Sequence, residues 1–82
     1  MTPVMDDDDM TLNSARQQLG LSVLDLWIAY FAIGGLSDAP TLESYLHGQS
    51  TAPNTEHNLI AHALNERFSE LNMDNPVPYR GT

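Results

Sequence analysis

The stretch LSVLDLWIAYFAIGG, residues 21–35, holds a single charged residue, Asp25, in a chain whose formal net charge is −8. No other feature restricts the fold as tightly. Its unbroken apolar run, Leu26 to Ile33, is eight residues long, far below the roughly 20 that a membrane span needs, so protein must cover it. Ser22 with Asp25 three residues on has the form of a capping box, and Leu21 and Leu26 occupy the flanking staple positions. The pattern predicts a helix over 23–33, stopped by Gly34-Gly35.

At about 100° per residue, Val23, Leu24, Leu26, Trp27, Ile28, Tyr30, Phe31 and Ile33 cover an arc of roughly 220°, whereas a helix buried on one side needs little more than 100°. Only Asp25, Ala29 and Ala32 share the rest. Two coverings are open. Short helices around Leu12 and Leu42, or the Pro-containing tail, close over this central helix; or one edge of it stays exposed as a docking surface for a second copy or another protein. The edge expected to dock is Val23, Leu26, Tyr30 and Ile33, opposite Leu24, Ile28 and Phe31, with the Tyr30 hydroxyl suited to a wet rim.

A chain of 82 residues forms one domain that removes only about 60% of its unfolded surface from water, so the core must be small. A hydrophobic content of 41% is ordinary and opposes wholesale disorder, despite eleven Asp and Glu against three Arg. Residues 1–10 contain Asp6 to Asp9 and no periodic pattern; like charges in a block predict a disordered acidic tail. Residues 11–73 form the helical domain. Within it Thr11 caps a short helix with Leu12, Ala15 and Leu19 on one stripe and Gly20 as its stop. Pro40, Leu42, Tyr45 and Leu46 mark a two-turn helix ending at Gly48. The last helix, from Pro53 or Thr55 to Asn72, has His57, Ile60, Ala61, Leu64, Phe68 and Leu71 on a stripe of about 120°, with Asn58, His62, Asn65 and Ser69 opposite. Residues 74–82, with Pro76 and Pro78, are expected to be extended, with Val77 or Tyr79 as candidates to fold back.

Chemistry has little foothold. The chain has no cysteine, which excludes disulfides and thiolate metal sites. His57 and His62 are five residues apart, some 140° around a helix, whereas ligands on one helix that share a metal use i, i+3 or i+4. His62 with Glu66 has i, i+4 spacing but no third ligand nearby. His47 sits in a last turn, where an imidazole meets the negative helix end. Glu66 and Glu70 read as a solvated face, and Asp6 to Asp9 lack the fixed geometry of a calcium loop. No serine lies in a nucleophile elbow and there is no phosphate-binding glycine loop. The helix–glycine–helix from Val23 to Gly48 could pass for a helix-turn-helix, but TLESYLHG has neither Lys nor Arg to neutralise phosphates, which argues against nucleic acid. An acidic surface suits the converse, a basic or mixed-charge protein partner, including a basic face that otherwise holds nucleic acid. The N-terminus has neither the basic nor the apolar region of a signal peptide, so a cytoplasmic location is expected.

LWIAYFAIGG, LESYLHG, EHNLIAHALNERFSEL and PVPY, in this order, resemble a family of short actinobacterial proteins that share a Trp-aromatic-Gly-Gly helix, a Tyr-Leu-His-Gly turn and a Pro-Tyr tail. The resemblance spans Leu21 to Tyr79. It implies a bacterial cytoplasmic protein with a regulatory role, and it transfers no site residue.

The sequence therefore predicts an all-α fold: a small bundle of three main helices, with residues 11–19 offering a short fourth. The expected core is Trp27, Phe31, Leu42, Leu46, Ile60, Leu64, Phe68 and Leu71. The expected function is non-catalytic protein binding, without cofactor, nucleic acid or membrane, through Val23, Leu26, Tyr30 and Ile33. The alternatives are a structural homodimer, and a metal-binding domain or metal-dependent enzyme using His57, His62 and Glu66.

Overall fold

The computed structural model describes residues 11–73 and 77–80; the expected acidic tail of residues 1–10 lies outside the described residues. Four helices follow one another: α1 (Leu12–Leu19), α2 (Val23–Ala32), α3 (Ala39–Leu46) and α4 (Asn54–Glu70). No strand occurs among the described residues. The short fourth helix at the N-terminal side is present.

Local chemistry sets the helix starts. Thr11 Oγ1 accepts from the Ser14 N–H at 3.0 Å, which satisfies one of the orphan donors at the start of α1. At α2 both halves of the capping box form: the Asp25 N–H donates to Ser22 Oγ at 3.0 Å and the Ser22 N–H to Asp25 Oδ2 at 3.3 Å. Asp38 caps α3 by accepting from the Thr41 N–H at 3.0 Å, with Pro40 in the first turn. α4 begins after Pro53 without a side-chain cap; the Pro53 carbonyl accepts the first bond, from the His57 N–H at 2.8 Å. α4 ends at Glu70 rather than at Asn72, because Asn72 itself takes the left-handed conformation (φ 63°), a role asparagine tolerates better than most residues.

Packing pairs α2 with α4, and each of them holds one further helix. α4 packs against both α1 and α2, and α3 packs on α2. Ile60, Ala61, Ala63, Leu64, Asn65 and Phe68 are all buried. At about 100° per residue they occupy some 200° of the helix, wider than the expected 120° stripe because the small residue Ala63 and the polar Asn65, on either side of it, are enclosed too. Asn65, expected on the outward face, is buried because residues 77–80 return along that side of α4: the Asn65 amide donates to the Val77 carbonyl at 2.9 Å and accepts from the Val77 N–H at 3.0 Å. Of the two candidates to fold back, Val77 joins the core while Tyr79 stays exposed.

The core otherwise contains the expected Leu42, Leu46, Ile60, Leu64 and Phe68, with Leu12 and Ala15 of α1 added. Three expected members are not in it. Phe31 and Leu71 are more than half exposed, and Trp27 is half-buried. In their place Leu26 and Tyr30 have no accessible surface.

The turn after α2 uses its two glycines differently. Gly34 has φ 108°, a left-handed backbone that side chains resist. Gly35 has ordinary φ but no room: a Cβ there would lie 2.3 Å from Tyr30 Cζ. Gly35→Ala should therefore lower stability by about 1–3 kcal/mol through overpacking against a buried ring. Denaturant titration would read this as a lower midpoint at unchanged slope, and an unchanged midpoint would show that the ring moves freely.

Hydrogen bonds from the Thr41 hydroxyl and then the Thr41 N–H hold the Asp38 carboxyl below the ordinary aspartate value. Because the folded state favours the carboxylate, the cap's contribution is full above the ordinary aspartate range and is lost as pH falls through the folded value. Hydrogen exchange should show α3 loosening in acid, and Asp38→Asn, which keeps an accepting oxygen but does not titrate, should flatten that dependence.

Candidate protein-binding face

The expected docking edge of α2 points inward. Leu26 and Tyr30 are completely buried, and Val23 and Ile33 are half-buried against the core. That assignment is therefore corrected: no partner can reach Leu26 or Tyr30 without unfolding the domain. The physical reason lies in Tyr30. Its hydroxyl donates to Glu56 Oε1, in the first turn of α4, and accepts from the Ser37 N–H at 2.8 Å. Ser37 Oγ donates to the same Glu56 oxygen at 3.2 Å. A buried phenol needs such partners, and they exist only on the inner side.

With α2 in this rotation, its other apolar edge faces out. Leu24, Ile28 and Phe31 are 58%, 53% and 56% exposed. They follow i, i+4, i+7 spacing and lie within about 60° of one another around the helix. Phe31 is stacked on Trp27, with ring centroids 5.1 Å apart and planes 23° from parallel. Trp27 is anchored in turn, its indole N–H donating to the Ser37 carbonyl at 2.9 Å. The exposed Phe31 ring thus rests on a partly buried, hydrogen-bonded platform. Leu36, in the α2–α3 connection, is 89% exposed.

Beside this edge a groove of about 340 Å³ runs between α2 and α4. Ile28 and Ala63 supply apolar lining; Asp25, Glu66 and Glu70 bring carboxylates, and Arg67 the one cation among its lining residues. Arg67 is already engaged with Glu70 at 3.3 Å. The groove's lining thus combines apolar side chains with more acidic than basic ones.

The histidines do not assemble a metal centre. His62 Nε2 lies 3.6 Å from Glu66 Oε2, with both side chains more than half exposed. His57 is turned to the C-terminal segment, its Nε2 3.1 Å from the Pro78 carbonyl and its Nδ1 3.3 Å from Arg80 Nη2. His47 caps the exposed end of α3. Among the described residues no three metal-ligating side chains gather. No described helix is long and apolar enough to cross a membrane.

The sequence reading missed Asn58 and Asn65 as functional candidates; their signal was the i, i+7 spacing on α4 ahead of a tail that could fold back. Comparison with family models, with curated proteins and with solved structures finds no match.

The inner and outer edges of α2 differ in what truncation should do. Leu26→Ala should cost about 2–5 kcal/mol, as a large-to-small change in a filled core, whereas Leu24→Ala should stay within about 0.5 kcal/mol. Thermal or denaturant unfolding of the two variants checks the assignment, and equal losses would reject it.

Proposed function

We propose that this protein is a non-catalytic protein-binding module that docks by the outer edge of α2. The single observation that supports this is the trio Leu24, Ile28 and Phe31, each more than half exposed on one short helix of a chain with charge −8. Three large apolar anchors at i, i+4, i+7 are the pattern with which a helix enters an apolar groove on another protein. The Trp27–Phe31 stack limits the freedom that binding must remove.

The partner's chemistry follows from the margin. Asp25, Glu66 and Glu70 line the groove beside the anchor Ile28. A groove rimmed by Lys or Arg complements them, steers encounter and disfavours anionic competitors. A second copy fits less well. An isologous contact would set the same acidic margin against itself.

A photo-crosslinking amino acid at position 28, introduced in the native host, tests the reading. The expected result is an adduct of one defined mass that weakens at high salt and is lost in the Phe31→Ser chain, while a probe at Gln17 gives none. An adduct of twice the chain's own mass, with concentration-dependent sedimentation, would replace the partner with a second copy. The absence of any adduct from position 28 would sink the proposal.

A further inference from the structure

Residues 77–80, Val-Pro-Tyr-Arg, run antiparallel along α4 and are held there by two asparagine side chains acting on main chain alone. Asn65 pairs with both the N–H and the carbonyl of Val77, at 3.0 and 2.9 Å. Asn58 does the same with Arg80: its Oδ1 accepts from the Arg80 N–H at 2.7 Å and its amide donates to the Arg80 carbonyl at 3.0 Å. A carboxamide carries one acceptor and donors side by side, so it can pair with a single residue of extended chain much as a neighbouring strand does. The spacing matches as well. Seven residues of helix rise about 10 Å, and three steps of extended chain cover about the same distance.

The segment between the asparagines fits the same scheme. His57 lies 3.1 Å from the Pro78 carbonyl, and proline at that position forfeits no bond because it has no N–H to pair. Two side chains are read. Val77 is 2% exposed and part of the core. The Arg80 guanidinium donates to the Ala52 carbonyl and meets His57 Nδ1 at 3.3 Å. Tyr79 is more than half exposed, with its hydroxyl 3.4 Å from His62 Nδ1, so its position reads little.

We propose that this side of α4 is a binding site for extended peptides of the pattern apolar–Pro–any–Arg, filled in this chain by its own residues 77–80. The amide ladder addresses the ligand's backbone, so it works equally on a segment that is not covalently attached. Selectivity comes from the Val77 socket at one end and the Ala52–His57 slot at the other. Only three residues, Asp74 to Pro76, separate Met73 from Val77, so the attached segment competes at an effective concentration in the millimolar range. A free peptide enters when the attached copy is loosened. The site uses none of the residues of the α2 edge and stands independently of the docking proposed there.

The test uses the full chain in two variants, Arg80→Ala and Val77→Asp, titrated with acetyl-Val-Pro-Tyr-Arg-amide. The expected result is movement of the Asn58 and Asn65 side-chain amide resonances in both variants, saturating with a Kd in the range of about 1 mM, and a higher thermal midpoint. The unmodified chain should bind at least about tenfold more weakly, because its own segment competes. Peptides with Asp in place of Val, or Ala in place of Arg, should also lose about tenfold, the weight of one well-made contact of about 1.4 kcal/mol. Should Val77→Asp fail to fold alone, the Arg80→Ala chain decides. Unmoved Asn58 and Asn65 amides in that chain at about 10 mM peptide, or equal binding of the control peptides, would overturn the proposal.

Discussion

The burial of one phenol organises the surface of this domain. Tyr30 is enclosed completely, and its hydroxyl joins Glu56 of α4 to the main chain of Ser37 in the α2–α3 connection. Leaving that hydroxyl unpaired in the interior would cost about 1–3 kcal/mol, comparable with the gain from burying the ring's apolar atoms. The pairing therefore fixes which way α2 is rotated. It also draws the connection over the ring, so that Gly35 has no space for a side chain, and it sets Ser37 where its carbonyl receives the Trp27 indole N–H. The outward position of Leu24, Ile28 and Phe31 is the consequence of that rotation.

α4 carries the second half of the arrangement. Its breadth of contact comes from small residues, Ala61 and Ala63, which let neighbouring elements approach closely, and from Asn65, whose amide is satisfied by the returning segment rather than by water. A buried carboxamide with both ends paired gives orientation as well as adhesion, since a one-residue slip in either direction would set Asn65 against a proline, which has no N–H to donate. The N-terminal turn of α4 holds the tyrosine network through Glu56, and its remaining length holds residues 77–80 through Asn58 and Asn65. The two candidate surfaces are thus supported by one helix but make different demands. The α2 edge offers apolar area and a rigid aromatic stack; the α4 side offers hydrogen bonds to backbone. The acidic margin adds a charge preference to the first.

Much of the secondary structure was legible because it depends on neighbours in sequence. Ser22 and Asp25 announced the start of α2, Thr11 and Gly20 bracketed α1, and Pro40 and Gly48 bounded α3, since caps and left-handed stops are local chemistry. The all-helical class and most of the core followed from helical spacing of apolar residues. The sequence also showed that α2 has more apolar circumference than one contact can cover. It could not show which edge would be left out: Leu26 with Tyr30 and Leu24 with Phe31 are equally apolar in pattern, and periodicity carries no sign.

That sign was a tertiary decision. It rested on a hydroxyl finding Glu56, 26 residues away, and on an indole finding the Ser37 carbonyl. The same holds for Asn65, whose place on a polar face predicted exposure until residues 77–80 came back to pair with it. Alone, the sequence determined helices, their ends and the surplus of apolar surface, because each is governed by interactions within a few residues. The structure decided which surfaces face out, because buried polar atoms must be satisfied by partners that no local pattern can locate.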